Sequence, residues 1–348
     1  MENEVFNFNL NIDWKLINLI SVIDRFDSQW TAIERREGQS LKHLKSIATV
    51  RSVGASNRIE GNRMTNEEID VLLKNIDITK LTDRDLQEVV GYFDVLDLIS
   101  ENYKNITVTE NNIKSLHNSL MKYSTKDEWH KGDYKQHSNA VEATFVDGTR
   151  QTIFQTTEAG FATEGAVKQL IDWYDSEREV HSLIKIAAFV YDFLSIHPFQ
   201  DGNGRLSRLL STLLLLRNGY KWIQYVSFEH EIESRKSEYY QALRACQVQR
   251  PNEDITVWII FFLNALRNIQ TQLMKKLEQS GAETQLSPRE KAILTIIQNY
   301  SGLKSGEIAE KLAIPNPTIK RILFDLQSKG MIEKQGHGRA TVYLFKTK

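Results

Sequence analysis

Two adjacent segments near the middle of the chain have the most marked hydrophobic patterns. Between residues 183 and 196 nearly every position is apolar, which is typical of a helix buried on all sides. Pro198 predicts the end of that helix. An apolar stripe with helical spacing follows, formed by Leu206, Leu209, Leu210, Leu213 and Leu214. The glycines between the two segments, Gly202 and Gly204, are therefore expected at the N-terminus of the second helix.

Apolar positions elsewhere also favour helices. Residues 1 to about 100 are predicted to be helical, with one apolar face marked by Trp14, Leu16, Ile17, Ile20 and Ile23. Thr109 is a predicted N-cap, and a long amphipathic helix is predicted from Ile255 to Leu273. Asp147-Gly148 between two β-prone runs predicts one hairpin. The fold class is therefore mainly α with a single β-ribbon in this part.

The chain changes character after Gly281. Ser287 and Glu290 form a predicted capping box, Ser305 is a predicted cap of a second helix, and Asn316-Pro317 begins a third that stops at Gly330. Two β-prone runs within residues 331–345 follow, separated by a glycine-rich turn. Three helices and a hairpin resemble a winged helix, with residues 316–323 as its recognition helix. We expect three domains, at residues 1–105, 106–280 and 281–348.

Composition limits the class of protein. The chain has 348 residues, a net charge of −1 and one cysteine, which excludes an internal disulfide framework. Its N-terminus does not resemble a signal peptide and no apolar run approaches 18 residues, so we expect a cytoplasmic protein without a membrane partner. Residues 287–348 contain eleven Lys and Arg against five Asp and Glu, an excess that makes DNA a candidate partner. Docking and dimerisation stay open for this region, as does a homo-oligomer.

The connection between the two central helices concentrates reactive side chains. The imidazole of His197 can accept a proton near neutral pH, and the carboxylate of Asp201 suits a hard divalent cation. Backbone N–H groups around Gly202-Asn203-Gly204 can face an anion at the helix N-terminus. Arg205 and Arg208 add positive charge on one face of that helix. This combination indicates a phosphate-handling site.

Residues 197–208 resemble the signature of the Fic family, His-x-Phe-x-(Asp/Glu)-Gly-Asn-Gly-Arg-x-x-Arg, at every specified position. The resemblance implies transfer of AMP from ATP to a protein hydroxyl, with His197 as the general base and Asp201 as the ligand of Mg²⁺. It also implies that Phe199 anchors the loop in the core. The remaining implied nucleotide contacts are Gly202, Asn203 and Gly204 as an anion hole, and Arg205 and Arg208 at the β- and γ-phosphates.

A second segment, residues 52–62, resembles the inhibitory motif of that family, (Ser/Thr)-x-x-x-Glu-(Gly/Asn), at Ser56, Glu60 and Gly61. In a helix Ser56 and Glu60 share one face, and Gly61 is a natural residue to end it. The resemblance implies that Glu60 pairs with Arg208 and thereby keeps it from the γ-phosphate. We therefore expect an enzyme that restrains itself.

The resemblance extends to two further regions. The hairpin corresponds to a flap that aligns a target peptide by strand addition, with Ile153, Phe154, Gln155 and Thr156 as target contacts. The pattern departs from the family at Lys135, where an arginine is common. Tyr239 and Gln247 are implied contacts of the nucleotide, although Tyr239 alternatively serves only helix packing.

The sequence thus favours a protein adenylyltransferase that uses ATP and Mg²⁺ and modifies Ser, Thr or Tyr hydroxyls of a protein target or of itself. One alternative is a DNA-bound regulator that uses the nucleotide pocket as a sensor. Another is transfer or removal of a different phosphate-containing group. His197 favours the enzyme over the sensor, because a sensor requires an anion hole but no base.

Overall fold

Helices dominate a computed structural model of the chain, which describes residues 8–125, 128–144, 150–284, 287–300, 302–336, 338 and 341–346. The chain divides into two units, Met1–Met274 and Lys275–Lys348. The boundary predicted within the first unit, at residue 105, stays a prediction.

The first unit contains helices α1 to α11 and one hairpin. The helices are α1 (Trp14–Arg36), α2 (Gly38–Ile59), α3 (Asn66–Lys74), α4 (Arg84–Asn102), α5 (Glu110–Leu120), α6 (Phe161–Ser176), α7 (Ser182–Ile196), α8 (Asn203–Arg217), α9 (Phe228–Ser234), α10 (Lys236–Gln247) and α11 (Thr256–Thr284), the last of which continues into the second unit. Short 3₁₀ turns occur at Ile78–Lys80, Glu128–His130 and Lys221–Tyr225.

The core of this unit forms around α7 and α8. The side chains of α7 from Leu183 to Ile196 are almost all buried, and those of α8 are buried from Arg205 to Leu216. The indole N–H of Trp258 in α11 donates a 2.8 Å hydrogen bond to the carbonyl of Ala187 in α7. The apolar segment and the leucine stripe of the sequence are therefore two adjacent buried helices, joined by residues 197–202.

The hairpin pairs β1 (Ala140–Thr144) with β2 (Arg150–Gln155) in antiparallel register, from Ala140 opposite Gln155 to Thr144 opposite Arg150. Its predicted turn, Asp147-Gly148, lies outside the described residues. We call residues 140–155 the flap.

Two local predictions have clear outcomes at the N-terminal end of the unit. Thr109 caps α5 as predicted, because its hydroxyl accepts a hydrogen bond from the N–H of Asn112 at 3.2 Å. The apolar face predicted for α1 is partly wrong, since Trp14 is 84% exposed and Ile17 is 44% exposed. The helix instead turns Leu16, Leu19 and Ile23 inward, a spacing of three and four residues that fits one helical face.

The second unit contains α12 (Pro288–Asn299), α13 (Ser305–Leu312) and α14 (Asn316–Ser328), followed by β3 (Ile332–Gln335) paired with β4 (Val342–Phe345). Both hydrogen bonds of the predicted Ser287–Glu290 capping box form. Ser305 is the first residue of α13 rather than its cap, which is Lys304. The core joins the three helices to the hairpin through Ile293, Ile308, Ile319, Leu323 and Ile332. These elements form the predicted winged helix.

Among the described residues, no helix has both the length and the apolar character needed to cross a membrane.

The crossing of α4 and α5 depends on a glycine. A Cβ at Gly91 would overlap the backbone carbonyl oxygen of Leu120, which cannot move without displacing the end of α5. We expect Gly91→Ala to lower the free energy of unfolding by about 1–3 kcal/mol. A Cβ at Gly165 in α6 would meet no atom within 4 Å, so Gly165→Ala should be neutral or stabilising by up to about 1 kcal/mol. Urea unfolding of both variants checks this, and equal effects would contradict the close approach.

Candidate active site

The backbone at the end of α7 turns sharply at His197. His197 is the C-cap of the helix and has φ 53° and ψ 60°, a left-handed conformation that costs a non-glycine residue about 1–3 kcal/mol. Its Nδ1 lies 3.3 Å from the carbonyl oxygen of Leu194. Because a carbonyl only accepts hydrogen bonds, Nδ1 carries the proton and the lone pair is on Nε2. Burial lowers the pKa of His197 to about 4, so the imidazole is neutral at physiological pH and able to accept a proton.

The loop after His197, residues 197–202, is anchored by two side chains. Phe199 is fully buried and stacks on the ring of His117, with centroids 3.8 Å apart and an interplanar angle of 7°. His117 Nδ1 accepts from the N–H of Gly132 at 3.0 Å, so its Nε2 donates to the carbonyl of Asp201, also at 3.0 Å. We call residues 197–202 the His197 loop.

The side chain of Asn203 closes this loop internally. Its Oδ1 accepts from the N–H of Phe199 at 2.9 Å, and its Nδ2 donates to the carbonyl of Phe199 at 2.7 Å. Any contribution of Asn203 to an anion hole must therefore come from its backbone N–H.

The N-terminus of α8 presents such backbone groups. Gly202, the N-cap, has φ +79° and therefore favours glycine, and no side chain of the described residues caps the helix. The N–H groups of Asn203, Gly204 and Arg205 belong to the first turn, where an α-helix provides no intrahelical acceptor. Their partial positive charge favours an anion at this position.

Asp201 lies among cations. Its Oδ1 is 3.4 Å from Nη2 of Arg205, and its Oδ2 is 3.7 Å from Nη2 of Arg84. Burial would raise the pKa of Asp201, but Arg205, the N–H of Gly202 and Arg84 outweigh it and lower the pKa below its ordinary value. The carboxylate is ionised and 41% exposed, which leaves it accessible. Arg205 is buried and also pairs with Glu88 at 3.2 Å.

Arg208 is held by the helix that contains the second motif. Its Nε donates to Oγ of Ser56 at 2.8 Å, and its Nη2 donates to the carbonyl of Ser56 at 3.0 Å and to Oε1 of Glu60 at 2.8 Å. Burial opposes ionisation of Glu60, yet Arg208 lowers its pKa below the ordinary value. Burial by itself would lower the pKa of Arg208, but the charge of Glu60 helps to raise it above the ordinary value. The two residues therefore form a charged pair, with Arg208 2% and Glu60 31% exposed.

Glu60 also lies against the first turn of α8. A Cβ on Gly204 would overlap the carboxylate of Glu60. The carboxylate is therefore an internal anion at the helix end where an anion is favoured.

The end of α2 that presents Glu60 is anchored on α9 and α10. Arg58 makes a bidentate pair with Glu233, at 2.7 Å and 3.0 Å, and Lys236 donates to the carbonyl of Ile59 at 2.6 Å. Gly61 ends the helix as predicted, with φ +100°. These contacts hold the last turn of α2 in place, and the bond to Arg208 orients the Glu60 carboxylate.

The implied nucleotide contacts on α10 have different surroundings. Tyr239 is 3% exposed and packs edge-on against Trp258 and Phe261, while burial raises its pKa to about 12. Gln247 is buried, and its amide donates to Oγ of Ser195 at 3.0 Å. Both side chains thus have packing or hydrogen-bonding roles without a ligand.

The flap residues separate into two sets. Phe154 and Gln155 line an open groove of about 510 Å³ together with Gln247 and Arg250. Thr156 turns inward, where it binds Lys135 and Asn139. Ile153 lies in β2, and its side chain is outside the described part of the chain.

Comparison with known proteins decides the family. Residues 107–215 match the family model described as "Fic/DOC family". A "Fido domain-containing protein" of Dictyostelium discoideum is 30% identical over 129 residues, which cover 37% of this chain and 86% of that protein. The chain belongs to the Fic/DOC family. Residues 286–333 match a second model, "Winged helix-turn-helix DNA-binding".

Other Fic proteins match over different lengths. A "Protein adenylyltransferase Fic" of Nematostella vectensis is 26% identical over 209 residues, 57% of this chain but only 45% of that relative's own length. The crystal structure of a Fic family protein from Desulfovibrio desulfuricans covers 99% of both chains with a TM-score of 0.63 and 24% identity, which supports the fold.

Sequence reasoning missed several residues of this Fic site, among them His117, Glu88 and Arg84. Their partners are remote in sequence, so no short motif contains them. A signal existed for two of the three, because His117 shares the buried face of α5 with Ile113 and Leu120, and Glu88 is also buried. A polar side chain within an apolar helix face requires a partner.

The buried His117 predicts a pH dependence of stability. Burial lowers its pKa from 6.5 to about 4, so the unfolded chain binds a proton more readily than the folded chain. The stability that neutral His117 provides is therefore present above pH 6.5 and is lost as the pH falls towards 4, by up to about 3 kcal/mol. We expect His117→Gln, which keeps a donor but cannot titrate, to show a shallower decline in urea unfolding between pH 7 and 4.5. Identical slopes for variant and wild type would refute this.

Proposed function

We propose that this Fic protein is a protein adenylyltransferase that uses ATP, is restrained by Glu60, and modifies hydroxyls of a protein target or of itself. The observation that carries the proposal is that a neutral imidazole with its lone pair on Nε2, a helix N-terminus without a side-chain cap and two buried arginines occur together, at residues 197–202 and in the α8 helix that follows them. Positioning and electrostatic stabilisation of this kind supply most of the rate in phosphoryl transfer. Relatives named protein adenylyltransferase support the choice of reaction.

In the proposed reaction, Nε2 of His197 takes the proton from a Ser, Thr or Tyr hydroxyl of the target. The hydroxyl oxygen forms a bond to the α-phosphorus of ATP, and the bond between that phosphorus and the bridging oxygen to the β-phosphate breaks. Pyrophosphate leaves, and AMP stays on the target. The first-turn N–H groups of α8, together with Arg205 and Arg208, bind the phosphates and stabilise their negative charge.

Asp201 fits a Mg²⁺ ligand, because its carboxylate is ionised, partly exposed and adjacent to the predicted phosphate position. A magnesium ion held by nucleotide phosphates needs only one or two protein carboxylates. The magnesium ion would neutralise phosphate charge at this position. Without the ion, Arg84 and Arg205 balance the charge of Asp201.

Glu60 supplies the restraint in this proposal. While its carboxylate holds Nη2 of Arg208, that guanidinium cannot make the same contact with a γ-phosphate. ATP would then bind in an unproductive pose. Relief of this inhibition requires the end of α2 to move so that Glu60 leaves Arg208.

We expect Glu60→Gly to raise protein labelling from α-³²P-ATP by about 10–100-fold, the factor for recovering one charge-assisted hydrogen bond. His197→Ala in the same background should lower labelling by about 10²–10⁴-fold. Glu101→Gln is the matched control, because Glu101 also pairs with α2, through Lys45 at 2.9 Å, but is exposed, whereas Arg208 bonds to Ser56 and Glu60. An unchanged rate in Glu60→Gly would remove Glu60 from the mechanism.

The identity of the transferred group has its own readout. Mass spectrometry of labelled Glu60→Gly protein distinguishes AMP from another phosphate-containing group by the added mass. Loss of the label on further incubation would indicate removal activity.

A second candidate function, DNA binding by residues 287–348, is favoured by the winged-helix match. Lys320 and Arg321 are exposed on α14, which packs on the core through Ile319, Ile322 and Leu323. This orientation leaves the two cations available to phosphates.

We expect the full chain to bind duplex DNA in fluorescence anisotropy with an affinity that falls as salt rises. Lys320→Ala and Arg321→Ala should each reduce the salt slope by about one unit. Lys291→Ala, which removes an exposed cation from α12, is the control. Binding that does not respond to salt or to either variant would refute a DNA role for α14.

A further inference from the structure

Lys135 has an unusual environment for a lysine. The residue is 2% exposed, and its Nζ donates to three oxygens: Oδ1 of Asn139 at 3.0 Å, Oγ1 of Thr156 at 2.8 Å and the carbonyl of Ile196 at 3.0 Å. An ammonium has three donors, and these three acceptors satisfy all of them. All three are neutral, so burial is not offset by an opposite charge and lowers the pKa of Lys135 to about 8. A buried cation on neutral acceptors is costly, which indicates a specific role.

The acceptors of Lys135 belong to two different parts of the site. Asn139 directly precedes β1 and Thr156 directly follows β2, so both ends of the flap meet at this ammonium. Oγ1 of Thr156 also donates to the carbonyl of Asn139 at 2.7 Å. These two side chains and Lys135 form a cluster that we call the clamp.

The other side of the clamp is the backbone around His197. Lys135 binds the carbonyl of Ile196 through Nζ and the carbonyl of Pro198 through its own N–H, at 3.0 Å and 2.8 Å. Asn139 Nδ2 donates to the carbonyl of Phe199 at 3.1 Å. The residues before and after His197 are therefore both bound by one lysine.

His197 needs this support, because its left-handed backbone persists only where neighbouring contacts enforce it. We propose that Lys135 is a positioning residue that joins the flap to the His197 loop. It would hold the strand that pairs with a target at a fixed position relative to His197, the base that receives the target's proton. The proposal rests on the proposed function, since it assigns Lys135 to alignment of that target hydroxyl.

The consequence is a separation between turnover and ATP binding. The clamp touches the flap and the backbone beside His197, whereas Arg205, Arg208 and the first turn of α8 lie outside it. Loss of the clamp should misplace the base relative to the hydroxyl, and small misplacements cost about 10–100-fold in rate.

The test uses the full chain with Glu60→Gly. Lys135→Met keeps the aliphatic stem and removes the donors, and we expect kcat for labelling to fall about 10–100-fold while KM for ATP changes less than about threefold. Lys135→Arg, which keeps the charge and the donors, should recover a measurable part of kcat. Thr156→Val removes the bonds of Thr156 to Lys135 and to Asn139 but keeps the bonds of Lys135 around His197, and it should also lower kcat.

Lys185→Met is the matched control. Lys185 lies on α7, the helix that ends at His197, and donates to the carbonyl of Glu177 at 2.9 Å, away from the loop and the flap. Its loss tests whether removing any partly buried lysine bonded to a carbonyl has the same effect.

A second readout does not depend on catalysis. Amide hydrogen exchange should rise together at residues 150–157 and 193–202 in Lys135→Met but not in Lys185→Met. If Glu60→Gly shows no labelling, the proposed transferase fails while exchange still reports on the clamp. Unchanged exchange at both segments in Lys135→Met, or unchanged kcat in a labelling-competent background, overturns the role of Lys135.

Discussion

The structure depends on how six residues connect two helices that are buried on nearly all sides. A loop inside a core must have its backbone carbonyls paired, because an unpaired buried carbonyl is costly. Most of the groups that meet this requirement here are remote in sequence. The carbonyls of Ile196, Pro198, Phe199 and Asp201 accept from Lys135, Asn139, Asn203 and His117. The same bonds hold His197 in a left-handed conformation that isolated backbone disfavours.

Charge is balanced around this loop by pairs of opposite sign. Arg208 with Glu60 and Arg205 with Glu88 and Asp201 bring cations and anions into a largely buried region. A buried pair contributes little net stability because desolvation offsets much of the attraction, while removal of one partner leaves an uncompensated charge. Under the proposed function, phosphates would replace these carboxylates as partners of the arginines. Without a ligand, the carboxylates would then occupy the place of the phosphates as partners of the arginines, in addition to their structural role.

Several residues with implied ligand roles have internal partners instead. The side chain of Asn203 closes the His197 loop, Thr156 belongs to the clamp and Gln247 bonds to Ser195. A motif specifies a residue type at a position, and it does not distinguish a contact with ligand from a bond that shapes the ligand site. For Asn203 the geometry indicates that the side chain shapes the site, while the backbone N–H is the group available to a ligand.

The sequence alone was sufficient for features governed by local spacing. The apolar segment, the leucine stripe, the caps at Thr109 and Ser287, the glycine after Glu60 and the strand pairing of the flap all follow from periodicity or from turn and cap chemistry within a few residues. The motif at 197–208 also indicated a phosphate site, because its residues are adjacent in the chain. Which face of α1 is buried was not settled locally, since Trp14 and Ile17 are exposed and Leu19 is buried.

Only the tertiary structure decided the contacts across long separations. The sequence resemblance implied that Glu60 meets Arg208, but the distance of 2.8 Å and the second hold through Ser56 come from packing of α2 against α8. His117 contacts Asp201 in the loop from 84 residues away along the chain. Glu88 contacts Arg205 in α8 from 117 residues away, and Lys135 contacts Ile196 at the end of α7 from 61 residues away. Periodicity gives a helix and its apolar face, but the rotation and crossing of helices arise from the packing of the whole core, and that packing places these side chains.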